Sequence, residues 1–152
     1  MKNTLNYAKE EEKNGAYLMM LNSFREYDYC FFTMMGKFFA RKQYIKEMGC
    51  QFYSNEKMKW YILYENIMDI RGFASLEDKG KYYYLDNVYV IDKYRNKGYA
   101  TRILNKIILE NNDKSIKLIS NNKIAINIYQ KLGFKIYGTN GSYKKMIKEN
   151  WK

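Results

Sequence analysis

Histidine and proline are both absent from this chain of 152 residues. The lack of histidine excludes Ser-His-Asp and Cys-His nucleophilic systems, zinc sites of the Cys2His2 type and the commonest general base. Any acid–base chemistry must therefore come from Asp, Glu, Tyr, Lys, Cys or water. The lack of proline leaves glycine and asparagine to mark the turns.

Cysteine is scarce, and long apolar runs are missing. The two cysteines, Cys30 and Cys50, are too few for a disulfide framework and lack metal-ligand spacing, so we expect reduced thiols and no metal. No apolar run approaches the roughly 18 residues of a membrane helix. The N-terminal stretch MKNTLNYAKEEEKNG has no apolar core of a signal peptide. We therefore expect one domain over residues 1–152, cytoplasmic, and monomeric or homodimeric.

Positive charge is in excess, with 27 basic and 16 acidic residues giving a formal net charge of +11. Such an excess favours a polyanionic partner, either nucleic acid or a phosphorylated cofactor. The alternative is a compositional bias toward Lys, Asn, Ile and Tyr, which an AT-rich genome produces without selection for binding. A local cluster of cations near residue 95 needs its own explanation.

The hydrophobic pattern predicts an α/β protein. Helical spacing marks residues 11–24 and 38–48, and the stretch DYCFFTMM between them fits either a strand or a helix. A meander followed by β-α-β-α-β-β implies a mixed sheet. Its predicted segments are strands at 59–65, 70–76 and 82–90, a helix from Ala100 to about 110, a strand at 115–120, a helix at 123–132, a strand FKIYG, an Asn140-Gly141 turn and a last strand SYKKMIK.

The stretch VYVIDKYRNKGYAT joins a predicted strand to a helix through three cations, Lys93, Arg95 and Lys97, and a glycine. The free backbone N–H groups of about residues 96–101 and the helix dipole make an anion site of the phosphate or pyrophosphate kind. Gly98 lets a phosphate approach the backbone with no Cβ in the way. Walker and dinucleotide fingerprints are missing. Taken alone, the stretch also fits an exposed loop with solvated lysines.

A second motif, NKIAINIYQKLGF at 122–134, follows one helix and one strand later. Together the two stretches resemble the GNAT family, the Gcn5-related N-acetyltransferases, over roughly residues 58–148. That family has V-x-x-x-[YFH] running into [RQ]-x-x-G-x-[GA], and later N-x-x-A-[IL]-x-[LI]-Y-x-K-x-G-F. The matching residues are Val90, Tyr94, Arg95, Gly98 and Ala100, then Asn122, Ala125, Ile126, Ile128, Tyr129, Lys131, Gly133 and Phe134.

The resemblance implies the GNAT fold, a mixed, mostly antiparallel sheet of six to seven strands flanked by about four helices. It also implies an enzyme that transfers an acetyl group from acetyl-CoA to a primary amine by direct attack in a ternary complex, without a metal. Family loops often carry proline where this chain has Asp92. We expect that carboxylate to pair with a nearby lysine and to leave cofactor binding intact.

Roles for individual residues follow from the same resemblance. Asn122 would meet the amide of the pantetheine arm, and Tyr129 would protonate the departing thiolate, since a free tyrosine has a pKa near 10. The strand end would pair with the arm, and one of its amides would polarise the thioester carbonyl. The strand end is Val88, Tyr89 and Val90, and the residues that would cradle the pyrophosphate are Arg95, Asn96, Lys97, Gly98, Tyr99, Ala100 and Thr101.

The base for the acceptor amine stays open. Asp86 is the first candidate, because a polar residue inside an apolar strand marks either a site or an edge. In a regular strand Asp86 would share a face with Val88 and Val90, whereas a bulge would swap the faces. The alternatives are a merely structural carboxylate, Glu65 or one of the tyrosines at 82–84.

The acceptor, a small molecule or a protein, is not identified by these residues. Three other functions remain: a basic module that binds RNA or DNA with steep salt dependence, a transferase acting on an aminoacyl-tRNA, and a protein that binds acyl-CoA without turnover. The lysines are scattered and an RNP-type aromatic motif is missing. Those two observations favour the acetyltransferase.

Overall fold

A computed structural model describes residues 4–7, 56–66 and 69–150. The helices predicted at 11–24 and 38–48, and the ambiguous stretch between them, lie outside these residues. So does the side chain of Asp92.

In the part of the chain that the structure describes, seven strands form one sheet in the order β1-β2-β3-β4-β5-β7-β6. Neighbouring strands pair antiparallel except β4 and β5, which are parallel. The predicted mixed, mostly antiparallel sheet is confirmed, and two of the about four expected helices fall within the described residues. The elements are β1 (Thr4–Tyr7), β2 (Met58–Asn66), β3 (Asp69–Asp78), β4 (Tyr82–Val90), α1 (Tyr99–Glu110), β5 (Ser115–Ser120), α2 (Lys123–Lys131), β6 (Lys135–Asn140) and β7 (Tyr143–Lys148), with a 3-10 turn at Asp92–Tyr94.

Helix α1 packs on the middle of the sheet through one apolar stripe. Ile103, Leu104, Ile107 and Ile108 recur at helical spacing and are buried against β2, β3 and β4. A Cβ at Gly72 would lie 2.6 Å from the Tyr89 carbonyl oxygen and 3.2 Å from Ile103 Cδ1. Glycine is therefore required for the close approach of β3, β4 and α1.

The far end of α1 is fixed by a buried amide. Asn111 is 1% exposed, and its Nδ2 donates to the Tyr61 hydroxyl at 3.0 Å and to the Ile107 carbonyl at 2.8 Å. Tyr61 belongs to β2, and its hydroxyl also donates to Glu110 at 3.2 Å. The polar groups at this helix end are therefore satisfied while the helix is tied to the sheet.

The hairpin between β6 and β7 differs from the predicted turn by one residue. Asn140 pairs with Tyr143, so the central residues are Gly141 and Ser142 rather than Asn140 and Gly141. Gly141 has a φ of 60° at the first central position, which is where a type II′ turn needs glycine.

Strands β4 and β5 pair over a short distance only. Their parallel ladder joins Tyr82 to Ser115, Tyr83 to Ile116 and Tyr84 to Lys117, and it stops there. Strand β4 nevertheless continues to Val90, and β5 continues to Ser120. The described sheet therefore contains a gap between the second halves of these two strands.

Candidate active site

The loop after β4 forms an open helix N-terminus. Gly98 is the N-cap of α1 with a left-handed φ of 81°, and no acidic residue lies in the first turn. Asn96 is also left-handed, with a φ of 61°. Apart from its two chain neighbours, no described residue has an atom within 4 Å of where a Cβ at Gly98 would stand. The space beside the glycine is therefore open, no side chain caps the helix, and the first backbone N–H groups of α1 have no partner within the helix, as an anion site needs.

Several cations surround this loop, and one of them comes from outside it. Arg71, on β3, places its Cζ 3.9 Å from the centroid of the Tyr94 ring. Lys93, Arg95 and Lys97 are exposed on the loop itself. Sequence reasoning missed Arg71, because only the pairing of β3 with β4 brings it to the loop.

Arg95 folds back on the end of the strand. Its Nε donates to the Val90 carbonyl at 3.1 Å, and its Cζ lies 5.5 Å from the Tyr89 ring centroid. The side chain is exposed, and the two Nη groups carry the donors that are not used in this contact. Arg95 thus links the end of β4, which is predicted to pair with pantetheine, to the loop that is predicted to bind the pyrophosphate.

Strand β4 contains a β-bulge beside the gap. Ser75 pairs with Asp86 whereas Phe73 pairs with Tyr89, so β4 has one residue more than β3 between these pairs. Asn87 accommodates the extra residue by adopting a backbone φ of 52°. Its backbone is in the left-handed region that asparagine tolerates better than most residues.

A network of side chains holds the bulge. The Asn87 Nδ2 donates to the Ser75 hydroxyl at 2.9 Å, and that hydroxyl donates to the Asp86 carbonyl at 3.1 Å. The Asn87 backbone N–H donates to the Asp86 carboxylate at 2.8 Å. Ser75 is fully buried. It is a second residue that sequence reasoning missed, although a serine inside the apolar run GFASL was a usable signal.

The bulge decides which way Asp86 faces. Leu85 and Val88 both pack in the hydrophobic core under α1, although residues three apart in a regular strand point to opposite faces. Asp86, next to Leu85, therefore lies on the face away from Val88. The regular-strand expectation, with Asp86 on the face of Val88 and Val90, is wrong, and the bulge alternative is confirmed.

The Asp86 carboxyl is in a partly dehydrated position although it remains open to solvent. Burial by the surrounding protein is the main cause that raises its pKa above the usual value for aspartate, and the negative charge of Glu77 adds to it. The hydrogen bond from the Asn87 N–H opposes the rise. A carboxylate of raised pKa in a cleft is a typical candidate for acid–base work.

Tyr129 reaches the same region from α2. It is 6% exposed, and its ring centroid lies 5.7 Å from that of Phe134. Burial, and to a smaller extent the charge of Asp86, raises the pKa of Tyr129 to about 12. No described residue makes a hydrogen bond to its hydroxyl. The phenol is therefore protonated at neutral pH and has its hydrogen available.

Asn122 is the N-cap of α2. Its Oδ1 accepts from the backbone N–H groups of Ile124 at 3.0 Å and Ala125 at 3.1 Å. The capping role explains the asparagine in structural terms. The side chain is exposed, so its Nδ2 remains the group that can contact a ligand.

The other candidate bases lie in different places. Tyr84 forms the last pair of β4 with β5, at the border of the gap, and burial and the charge of Asp86 raise its pKa. Tyr83 donates from its hydroxyl to Asp113 at 3.2 Å, at the paired end of β4. The side chain of Glu65 is outside the described set. Among the described residues no group of His, Cys, Asp and Glu could hold a metal ion, and no helix is long and apolar enough to cross a membrane.

Solved structures share this fold over nearly the whole chain. A histone acetyltransferase HPA2 and related acetyltransferase from Corynebacterium glutamicum has a TM-score of 0.73 at 17% identity, covering 100% of this chain and 98% of its own. The PaiA N-acetyltransferase from Thermoplasma acidophilum, in complex with coenzyme A, has 0.67 at 18%, covering 98% and 99%. The ribosomal-protein-S18-alanine N-acetyltransferase from Escherichia coli has 0.61 at 20%, covering 96% and 91%. The fold is that of the GNAT acetyltransferases.

The sequence itself identifies the family. The family model for the acetyltransferase (GNAT) domain matches residues 56–136, more than half of the chain. A comparison with curated protein sequences finds no match. This chain belongs to the GNAT family and is an acyltransferase whose acetyl donor is acetyl-CoA.

Proposed function

We propose that the protein acetylates a primary amine by direct attack within a ternary complex, with Tyr129 as the general acid and Asp86 as the general base. The gap between β4 and β5 is the observation that carries the proposal. It is bordered by the bulge that bears Asp86, and the charge of Asp86 is close enough to raise the pKa of Tyr129.

The cofactor would lie along this gap. The open N-terminus of α1 and the loop from Arg95 to Thr101 would bind the pyrophosphate through backbone N–H groups and positive charge. The pantetheine arm would run beside Val88–Val90, in the place of a missing strand. A backbone N–H of that strand end would polarise the thioester carbonyl. The Nδ2 of Asn122 would donate to an amide oxygen of the arm.

The reaction then needs two proton movements. The amine nitrogen attacks the thioester carbon, the C–S bond breaks, and the nitrogen loses one proton to the Asp86 carboxylate, directly or through water. The thiolate takes a hydrogen bond and a proton from Tyr129. Because the pKa of Tyr129, about 12, lies above that of a typical thiol, about 8.5, full proton transfer to the thiolate is uphill. The phenol would therefore act first through its hydrogen bond to the sulfur, and a tyrosinate that forms would take a proton back from the medium.

A binding experiment tests the cofactor assignment. Acetyl-CoA at millimolar concentration should raise the melting temperature of the unaltered protein, whereas Gly98→Glu and Arg95→Glu should abolish or strongly reduce this shift. Both variants put a carboxylate where the phosphates would lie. Lys135→Glu is the matched control, since it makes the same change of charge as Arg95→Glu on the exposed start of β6. No shift with the unaltered protein would refute the assignment.

An acceptor screen tests the other half of the reaction. Release of free CoA should be measured with peptide N-termini, lysine, polyamines, small amines and an aminoacyl-tRNA. The net charge of +11 disfavours cationic polyamines as a class. Tight, salt-dependent binding of RNA without CoA release would instead support the nucleic-acid-binding alternative.

A further inference from the structure

Three cations among the described residues contact the ring of Tyr94. The Arg71 Cζ lies 3.9 Å from the ring centroid, the Lys93 Nζ 5.0 Å and the Lys97 Nζ 5.9 Å. Tyr99 meets Tyr94 edge-on at 6.2 Å and 88°, and its own centroid is 5.8 Å from the Arg71 Cζ. The distances from the cations to the ring centroids lie within the about 6 Å over which a cation and an aromatic ring attract each other. The distance between the two rings lies within the range of about 4.5–7 Å that is usual for aromatic pairs.

The backbone fixes Arg71 at the base of the loop. Gly72 pairs with Val90, and the Ile91 N–H donates to the Arg71 carbonyl at 2.9 Å. The Tyr94 N–H donates to the Ile91 carbonyl at 2.8 Å. Arg71 and the ring of Tyr94 are therefore joined through two consecutive backbone hydrogen bonds as well as through their stacked side chains.

The three cations concentrate positive charge around one ring, and a polyanion beside them would be attracted by all three. The open helix N-terminus at Gly98 is next to the same ring, because Tyr99 is the first residue of α1. The charges and the free N–H groups therefore converge on one place.

We propose that Arg71 is a phosphate-binding residue of the cofactor site, and that Tyr94 positions Arg71, Lys93 and Lys97 around the phosphates of CoA. The proposal rests on the proposed function, because it assumes that CoA binds at this loop. It adds to that function a cation from β3, outside the loop.

The test compares a ligand that carries phosphates with one that does not. Calorimetric titration of CoA should show affinity about tenfold lower for Arg71→Met, the size expected for the loss of one charge-assisted contact. Binding of S-acetylpantetheine, which has no phosphate, should not change. Lys135→Met removes one positive charge from β6 and should leave both ligands unaffected. Added salt should weaken CoA binding less in Arg71→Met than in the unaltered protein.

Tyr94 is tested by a pair of variants. Tyr94→Phe keeps the ring and should keep CoA affinity within about twofold, whereas Tyr94→Leu should weaken it by about as much as Arg71→Met. Arg71→Lys keeps the charge without the planar stack and should lie between the unaltered protein and Arg71→Met. If Arg71→Met fails to fold, Arg71→Lys and the Tyr94 pair carry the test.

The outcomes separate the two proposals. If the unaltered protein binds CoA and every Arg71 variant binds it equally well, the inference is overturned while the proposed function stands. An equal loss of CoA and S-acetylpantetheine would also overturn it, since that result indicates general damage to the site. If the unaltered protein does not bind CoA, both proposals fail.

Discussion

The two ends of β4 are built differently. At the closed end, Tyr82–Tyr84, the strand pairs with both β3 and β5. The charges near this end form an ion pair, with the Lys114 Nζ 2.8 Å from the Asp78 Oδ1. At the open end, Asp86–Val90, the strand no longer pairs with β5, has a β-bulge at Asn87 and continues into the loop that precedes α1. One strand thus provides an anchor at its closed end and an accessible edge at its open end.

The ion pair at the closed end and the two proposed acid–base groups at the open end differ in the form that their pKa shifts favour. The Tyr83 phenol is an exception, since burial raises its pKa at the closed end as well. At the closed end the hydrogen bond between Asp78 and Lys114 lowers the pKa of the carboxyl and raises that of the amine, so both charged forms are favoured. At the open end burial raises the pKa of both Asp86 and Tyr129, so the neutral forms are favoured. Groups that are held charged stabilise a fold, whereas groups that resist charging are suited to proton transfer.

The largest effect is expected from Tyr129→Phe. Loss of the phenolic proton should lower kcat by about a hundredfold, the lower end for a general acid, with little change in the KM for acetyl-CoA. Tyr83→Phe makes the same change at the closed end of β4 and should leave kcat unchanged. Equal activity of Tyr129→Phe and the unaltered protein would remove Tyr129 from the mechanism.

The bulge should be the next most sensitive feature. Asn87→Val forces a β-branched residue into a φ of 52° and removes the bond to Ser75, so we expect a loss of about 1–3 kcal/mol in unfolding free energy, together with lower activity. Denaturant titration measures the first and a CoA-release assay the second. Asn87→Gly accepts the same backbone and should lose less stability. Similar losses for the two variants would show that the backbone conformation is not the cause.

Asp86 should control how activity and stability depend on pH. If it is the base, kcat/KM should rise with pH through a pKa above the ordinary aspartate value, and Asp86→Asn should abolish this limb. The raised pKa also means that Asp86 contributes stability below its unfolded pKa and loses it as pH rises through the folded pKa. Asp86→Asn should therefore melt at a higher temperature at neutral pH. A lower melting temperature would contradict the raised pKa.

The smallest effect is expected at the closed end. Lys114→Met should lower the melting temperature slightly at neutral pH and leave acetyl transfer unchanged, because exposed ion pairs contribute little. The lowered pKa of Asp78 means that its contribution is present above the unfolded pKa and is lost as pH falls through the folded pKa. The difference from the unaltered protein should therefore vanish in acid. A clear loss of activity in Lys114→Met would contradict the assignment of stability to the closed end and catalysis to the open end.

Local signals predicted the elements from residue 58 onward and the position of the anion loop. Strand β4, strand β5 and the glycine at the start of α1 stand where the sequence placed them. The bulge was not predictable, since one extra residue in β4 is defined only against β3. Arg71 was missed for the same reason: its partner Tyr94 lies on another element, and the register that joins them is a property of the folded sheet.

The gap between β4 and β5 has a consequence for the amount of folded protein. If the pantetheine arm lies there as proposed, CoA acts as a further strand and stabilises the folded state by an amount that grows with its concentration relative to its Kd. At a concentration of about one hundred times its Kd, a ligand adds about 2.7 kcal/mol. The fraction of enzyme exposed to proteolysis would then fall as the supply of acetyl-CoA rises, linking enzyme lifetime to metabolic state.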